Sequence, residues 1–337
     1  MTNLTAPRVV GTGLIALDLV ISADPQRPIQ SWAGGTCGNV LSILAYMGWD
    51  SFPIARLNHD AAAARVAADL ERWGVHLDFV HSEPTMSTPI IIQENHVSRA
   101  GVPRHKFTWT CPRCGTWLPS FRPITRSAVD NALNAVEDAN VFFLDRLSRA
   151  ALTLAQHAAS RGALVVFEPS GKSDPKLFDE AIQIAHIVKY ADQRLSDAGG
   201  TMSNDTATLL EVQTLGSRGL RFRHKSENEA PEWIELDAAA ATDVVDTCGS
   251  GDWCTAGLLS RVGTAGLTGF TAHSTADVSE ALQYGQTLAA WNCGYEGARG
   301  GMYADVENVL QAAMLAAHGE THAEQGSVVS CPACADH

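Results

Sequence analysis

The chain has 337 residues, 45% hydrophobic and 18% charged, the proportions of a globular protein with room for one large α/β domain or two smaller ones. Twenty-four Lys and Arg face 37 Asp and Glu, a formal net charge of −13, which argues against nucleic acid as the main partner. No apolar run approaches membrane-spanning length and "MTNLTAPRVV" lacks the regions of a signal peptide, so a cytoplasmic protein without a membrane partner is expected.

The elements alternate. "PRVVGTGLIALDLVI" is extended and rich in β-branched residues. Within it "GTGLIA" imitates the dinucleotide-binding pattern, which would suggest an NAD-dependent dehydrogenase. That pattern needs a helix next, and "LDLVI" stays extended instead. "TCGNVLSILAYMG" reads as a helix with Val40, Ile43, Leu44 and Met47 on one face and Gly48 as its stop. "FPIARL" is a strand, and "AAAARVAADLERWG" is a helix closed by Gly74. "PIIIQEN" and "HKFTWT" are strands with no helix between them, read as a small β-lid. Then "VFFLD", the helix "SRAALTLAQHAASRG", "ALVVFEP" and the short strand "HIVKY" make βα units, which imply a parallel sheet covered on both faces. "GKS" at Gly171–Ser173 resembles the end of a P-loop, but Val166 stands where that motif needs its first Gly.

"VVDTCGSGDWCTAGLL" carries the chemistry. Trp253, Ala256, Leu259 and Val262 recur every three residues and give an apolar helix face. The turn before it holds Gly249 and Gly251, whose bare backbone can approach a ligand where a helix N-terminus offers unpaired N–H donors. Such a place suits a phosphate. Asp252 lies beside it. A substrate hydroxyl there could lose its proton to Asp252 while the N–H groups of Gly249, Ser250 and Gly251 hold the phosphoryl group. The plainer reading is a capped helix start, since Asp246 and Thr247 are good turn and cap residues.

"DTCGSGD" resembles the D-T-x-G-x-G-D signature of the PfkB, or ribokinase-like, carbohydrate kinases. The likeness runs in order along most of the chain. "GLIALDLV" is similar to the segment whose aspartate, here Asp18, binds sugar hydroxyls. "AGGTCGNVLSILAYMG" is similar to the G-G-x-x-x-N segment, which implies substrate roles for Gly34, Gly35 and Asn39. "GVHLDFV" resembles the G-V-D lead into a strand after the second helix. "QTLGSRGL" resembles the T-x-G-x-x-G segment beside the nucleotide (Thr214, Gly216, Gly219), and "NCGYEGARGG" the late loop that walls the adenine, with Asn292 as its contact.

The resemblance implies a ribokinase-like three-layer α/β fold, a mostly parallel central sheet between helices, with a β-lid. A kinase domain would span 1–318, its lid drawn mainly from about 85–122, and 319–337 would be a tail outside the core. It also implies an ATP-dependent kinase acting on a hydroxyl of a sugar, nucleoside or related polyol, with Asp252 as base and Gly249–Gly251 as anion hole, and it allows a homodimer. The alternative is a nucleotide- or sugar-binding regulator that kept the fold and lost the reaction. One departure favours that alternative. The family's N-x-x-E motif, tied to Mg²⁺ and phosphate handling, falls on "VKYADQRL", with Ala191 and Arg194 in place of Asn and Glu, although Lys189 remains. Glu168 or Asp192 could compensate for Mg²⁺, or Arg194 could itself hold a phosphate.

Two further features stand apart. "CPRC" (Cys111, Cys114) and "CPAC" (Cys331, Cys334) supply the four thiolates of a structural Zn²⁺ site, which would dock the tail onto the lid region. Redox dithiols or exposed thiols are the alternatives. Cys37, Cys248, Cys254 and Cys293 read as small packing residues. His105, Arg99, Arg104 and Arg113 make the lid region locally basic, which fits either a phosphorylated substrate or a solvated loop.

Overall fold

A computed structural model describes residues 5–304, except 83, 100, 173, 196–201, 204 and 226–230. The predicted tail, with Cys331 and Cys334, lies outside the described residues.

The extended N-terminal stretch is two strands, β1 (Arg8–Thr12) and β2 (Ala16–Ile21), separated by a bend at Gly13, and β3 (Gln30–Gly34) follows. Next come α1 (Thr36–Tyr46), β4 (Asp50–Leu57), α2 (Ala61–Arg72), β5 (Val80–Ser82), and the hairpin of β6 (Ile90–Val97) and β7 (Pro103–Thr108). The βα units are α3 (Arg126–Glu137), β8 (Val141–Leu144), α4 (Arg149–Ser160), β9 (Leu164–Phe167), α5 (Pro175–Ile184) and β10 (Ile187–Ala191). The chain then makes β11 (Leu210–Thr214), β12 (Leu220–His224) and β13 (Ile234–Leu236). It ends in α6 (Ser250–Val262), α7 (Gly266–Thr271), α8 (Thr275–Asn292) and α9 (Gly300–Ala304).

Nine strands form one sheet in the order β13-β12-β11-β10-β9-β8-β1-β4-β5. From β11 to β5 the pairs are parallel, and β12 and β13 are antiparallel additions at one edge. The buried strands are apolar on both faces, as parallel strands between helices must be. In β8, Val141 and Phe143 enter a core shared with α1, α2, α6 and α8, while Phe142 and Leu144 enter a core shared with α3, α4 and α5. That is the expected three-layer arrangement.

A second sheet, order β3-β2-β6-β7, stands beside the first. Only β6 and β7 come from the 85–122 region; β2 and β3 contribute the other half, and β2 pairs in parallel with β6 from Leu17↔Ile90 to Ile21↔Glu94. The same observation disposes of the dinucleotide pattern, because "GTGLIA" leads into β2 rather than a helix. No described helix is long and apolar enough to cross a membrane.

The helix α6 is central to the first core. Its Trp253, Ala256, Leu259 and Val262 are all buried, and it lies against α8 so closely that a Cβ on Gly257 would fall 2.5 Å from the Gly285 Cα. Gly257→Ala therefore sets a helix-propensity gain of about 1 kcal/mol against an overpacking cost of about 1–3 kcal/mol. Backbone is the obstacle, so the cost wins. Chemical denaturation is expected to show a loss of about 1–2 kcal/mol.

Candidate active site

The site begins where α6 begins. Gly249 is its N-cap, with φ 76 and ψ −4, a left-handed conformation that a side chain resists. A Cβ there would also meet the Ala298 carbonyl oxygen at 2.2 Å. No side chain caps this helix end, and among the described residues the Gly249, Gly251 and Asp252 amides donate to nothing. The Ser250 hydroxyl turns away and donates to the Thr247 carbonyl at 2.6 Å. Free N–H groups at the positive end of a 13-residue helix have the chemistry to receive an anion.

Asp252 sits in the first turn of that helix. Its Oδ2 accepts a 2.7 Å hydrogen bond from Asn39 Nδ2 on α1. Burial pushes its carboxyl up to about 7, and the Glu168 carboxylate adds to this; Asn39, Lys189 and Arg194 pull the other way. Asn39 is in turn held from behind: Arg299 Nε donates to its Oδ1 at 3.2 Å. The Asn39 oxygen and one amide N–H are thus committed within the protein.

Lys189, the buried central residue of β10, donates to Glu168 Oε1 at 3.2 Å and to the Gly251 carbonyl at 3.0 Å. Burial works to discharge this ammonium, but Glu168, Cys254 and Asp252 together outweigh it and keep the pKa raised. Thr255 also donates to Glu168. Asp145, one residue past β8, accepts from the Leu14 amide at 2.8 Å and pairs with Arg146 at 2.7 Å. Burial lifts its carboxyl to about 6, against Arg146. Of the residues near the altered N-x-x-E segment, Asp192 is tied to Arg218 at 3.0 Å, whereas the charge of Arg194 acts on both Asp252 and Asp145.

The second sheet brings Asp18 to the same place. Asp18 on β2 lies across from Trp32 on β3, and Gly34 leaves its carboxylate space: a Cβ at 34 would fall 1.9 Å from Asp18 Oδ2. Burial raises the Asp18 carboxyl to about 7, moderated by the Arg299 charge and the Gly35 amide. Asp18 Oδ1 is buried with no hydrogen-bond partner among the described residues, a cost that a bound hydroxyl would relieve. Gly35 precedes α1 as its N-cap, so Asp18, Gly34, Gly35, Asn39 and Asp252 form one continuous cluster.

Asp246 was read from sequence as a turn residue, and the fold gives it a larger task. Its Oδ2 accepts from Gln93 at 2.5 Å, Asn95 at 3.2 Å and the Gly297 amide at 2.8 Å, and its Oδ1 accepts from the Cys248 amide at 2.9 Å. His105 Nδ1 lies 3.0 Å from the same Oδ1. Burial opposes the charge, but these hydrogen bonds, led by His105, hold the carboxyl below its ordinary range. Strands β6 and β7 are therefore fastened directly to the turn that opens α6.

The expected nucleotide residues lie elsewhere on the sheet. Thr214 ends β11, and Gly216 and Gly219 shape the turn to β12, at the same strand-end edge as Lys189. Asn292, the expected adenine contact, lies at the end of α8. It is fully buried, donates to the Gly297 and Ala298 carbonyls at 3.4 and 3.2 Å, and accepts from the Gly301 amide at 3.1 Å, so it braces the late loop from within.

Cys111 and Cys114 lie on a tight turn outside this cluster. The Gly115 amide donates to the Cys111 carbonyl and the Cys111 amide to the Thr116 carbonyl, both at 2.8 Å. The Thr116 hydroxyl, 3.3 Å from the Cys114 sulfur, holds that thiol below its usual pKa. Among the described residues no group of three or more His, Cys, Asp or Glu is placed to hold a metal ion. Cys331 and Cys334 are outside the described residues, so the four-thiolate set rests on spacing alone.

A family model described as pfkB family carbohydrate kinase matches residues 9–304. A protein of Halopiger xanaduensis (strain DSM 18323 / JCM 14033 / SH-6) named ATP-dependent ribose-1-phosphate kinase is 23% identical over 321 residues, spanning 90% of this chain and 95% of that protein. Among solved structures, Arabidopsis thaliana ribokinase complexed with ribose and ATP superposes with a TM-score of 0.63 at 22% identity, covering 87% of this chain and 94% of that one. Xylella fastidiosa fructokinase with bound ATP gives 0.66 at 16% identity, covering 86% and 93%. At these identities the solved structures establish the fold.

The Asp246 clasp makes a direct prediction. In Asp246→Asn one acceptor oxygen becomes a donor, so either the Gly297, Gln93 and Asn95 contacts or the Cys248 and His105 contacts are lost, at about 1–3 kcal/mol. Hydrogen exchange is expected to quicken in β6, β7 and residues 245–249 while the core strands β8 and β9 keep their protection.

Proposed function

This chain belongs to the pfkB carbohydrate kinase family, phosphotransferases with alcohol acceptors, and from that premise we propose that it transfers the γ-phosphoryl group of ATP to a hydroxyl of a sugar, nucleoside or related polyol. The observation that carries the reading is Asp252: a buried carboxylate poised near neutrality, aimed by Asn39, beside the Gly249 and Gly251 amides, which donate to nothing among the described residues. A group with this pKa can take the proton of an attacking hydroxyl at physiological pH and release it afterwards. The Gly249 and Gly251 amides, with the Ser250 amide once it leaves its long 3.3 Å bond to the Thr247 carbonyl, would stabilise charge on the moving phosphoryl group at the helix end. Asp18, Gly34, Gly35 and Asn39 would bound the acceptor. The lid, fastened through Asp246, would keep water away from the base and so limit ATP hydrolysis. Thr214, Gly216 and Gly219 would flank the nucleotide.

Mg²⁺ fits the protein only loosely. Glu168 is already committed to Lys189 and Thr255, and the described residues do not gather a ligand set. The ion would be held mainly by the phosphates of ATP and water, and the chain's own work is binding, orientation and proton removal.

ATP consumption against ribose, ribose 1-phosphate, fructose and a set of nucleosides is expected to reveal an acceptor; ribose 1-phosphate belongs in the panel because of the Halopiger relative's name. Asp252→Asn keeps shape and loses basicity, so kcat is expected to fall by about 10²–10⁴ while ATP affinity stays within a few-fold. Turnover within about tenfold of the parent, roughly 1.4 kcal/mol of barrier, would remove Asp252 from the role. In the parent protein kcat/KM should fall as the pH drops through about 7, since protonated Asp252 cannot accept a proton.

The spacing of the two CPxC pairs and the tight turn at Gly115, with φ 73, also support a structural zinc ion held by Cys111, Cys114, Cys331 and Cys334. About one zinc per chain is expected by elemental analysis of protein prepared without chelator, falling on Cys331→Ser; a metal-free parent chain overturns it.

A further inference from the structure

Among the described residues Arg299 is the largest charged side chain in the interior, 1% exposed, and no motif role falls on it. It comes from "GYEGARGG", at the turn into α9, and reaches three other elements. One Nη2 contact goes to the Ala33 carbonyl on β3 at 2.5 Å and another to Asp69 Oδ2 on α2 at 2.8 Å, while Nε goes to Asn39 on α1. Asp69 is itself fixed by the Ala33 amide at 2.8 Å and by the Tyr303 hydroxyl at 2.8 Å. The guanidinium is therefore anchored through Nη2, while Nη1 is buried with no hydrogen-bond partner among the described residues, and Nε meets Asn39.

The chemistry of the four groups leaves Asn39 one arrangement. A guanidinium has donors and no acceptor, and an ionised carboxylate has acceptors and no donor. Asn39 stands between the two. Its oxygen has to face Arg299 and its NH₂ has to face Asp252; a flipped amide would oppose NH₂ to guanidinium and oxygen to carboxylate, losing both hydrogen bonds. Without Arg299, nothing on that side distinguishes the two amide orientations.

We propose that Arg299 is a positioning residue for phosphoryl transfer: anchored by Asp69, it fixes the Asn39 amide with Nδ2 toward Asp252, and so sets the aim and the charge of the base. The inference rests on the reading of Asp252 as base. It assigns to Arg299 and Asp69 a function in the reaction although neither touches a reactant. The charged groups acting on Asp252 from its other neighbours are Glu168, Lys189 and Arg194, and those acting on Arg299 are Asp69, Asp18 and Tyr303. A lysine at 299 keeps the positive charge toward Asp18 and Asp69 but cannot reproduce the Nε contact to Asn39.

The test needs no knowledge of the acceptor. The full chain is labelled with ¹³C at the aspartate carboxyl carbons, and the resonance absent from Asp252→Asn is followed from pH 4 to 9. Arg299→Lys is expected to move its midpoint up by about half a unit or more, because a donor to the charged form becomes unreliable. Asn39→Ala should move it up as well. Adding Arg299→Lys to Asn39→Ala should then add nothing, since the effect travels through the amide. An unmoved midpoint in Arg299→Lys overturns the proposal, and so does a shift of equal size in the Asn39→Ala background, which would mean direct charge or general loosening. If circular dichroism shows Arg299→Lys unfolded, Asp69→Asn takes its place, with a smaller upward shift expected and an unmoved midpoint again overturning it. The kinase reading is judged separately, by the turnover of Asp252→Asn.

Discussion

A carboxylate is held charged in a place that disfavours charge. Asp252 is buried, and Glu168 repels it, yet a base must be ionised to act. The opposing forces are the positive end of α6, the Asn39 hydrogen bond, and the ammonium of Lys189. Neither side wins outright, which leaves the group near neutrality rather than at the usual carboxylate value. If the burial were less, Asp252 would be too weak a base; without Asn39 and Lys189 it would stay protonated.

Much of the architecture maintains that balance. Lys189 joins β10 to the α6 backbone through the Gly251 carbonyl, so the cation that neutralises Glu168 also fixes the first turn of the helix. Glu168, with Cys254 and Asp252, keeps Lys189 charged despite its burial. Removing either partner would strand the other's charge in the interior, which costs far more than the pair contributes. Asp246 does comparable work on the lid side, where a carboxylate kept low by several donors joins two sheets that share no strand.

The parts legible in the sequence were those with local signals. The apolar face of α6, the stops of α1 and α2 at Gly48 and Gly74, and the buried runs β8 and β9 follow from spacing and terminal residues within a few positions. The Gly-rich turn before α6 was legible because a phosphate site needs bare backbone there. The first half of the lid was not, because β1 and β2 form one unbroken β-branched run and only the bend at Gly13 separates two sheets. Asp246 looked like a cap because its lid partners, Gln93, Asn95 and His105, lie 141–153 residues away. Asp145 could have been suspected, as an acid just past the C-terminal end of a parallel strand in an α/β sheet. Arg299 and Asp69 gave no signal at all: each is an ordinary charged residue until the fold brings four elements together.

The altered N-x-x-E segment can now be considered in terms of charge. Putting Arg194 where the pattern has Glu changes the local fixed charge by two units, and its field reaches both Asp252 and Asp145. The two carboxylates that could have substituted are engaged, Glu168 with Lys189 and Asp192 with Arg218. On the proposed reading, the polyphosphate therefore approaches a less acidic wall than the family pattern would give. A cation on the chain lowers the repulsion that a metal would otherwise have to offset, and it also draws the Asp252 carboxyl down from where burial and Glu168 would leave it. The departure that could be taken for loss of function thus acts in the same direction as Asn39 and Lys189, toward keeping the base ionised.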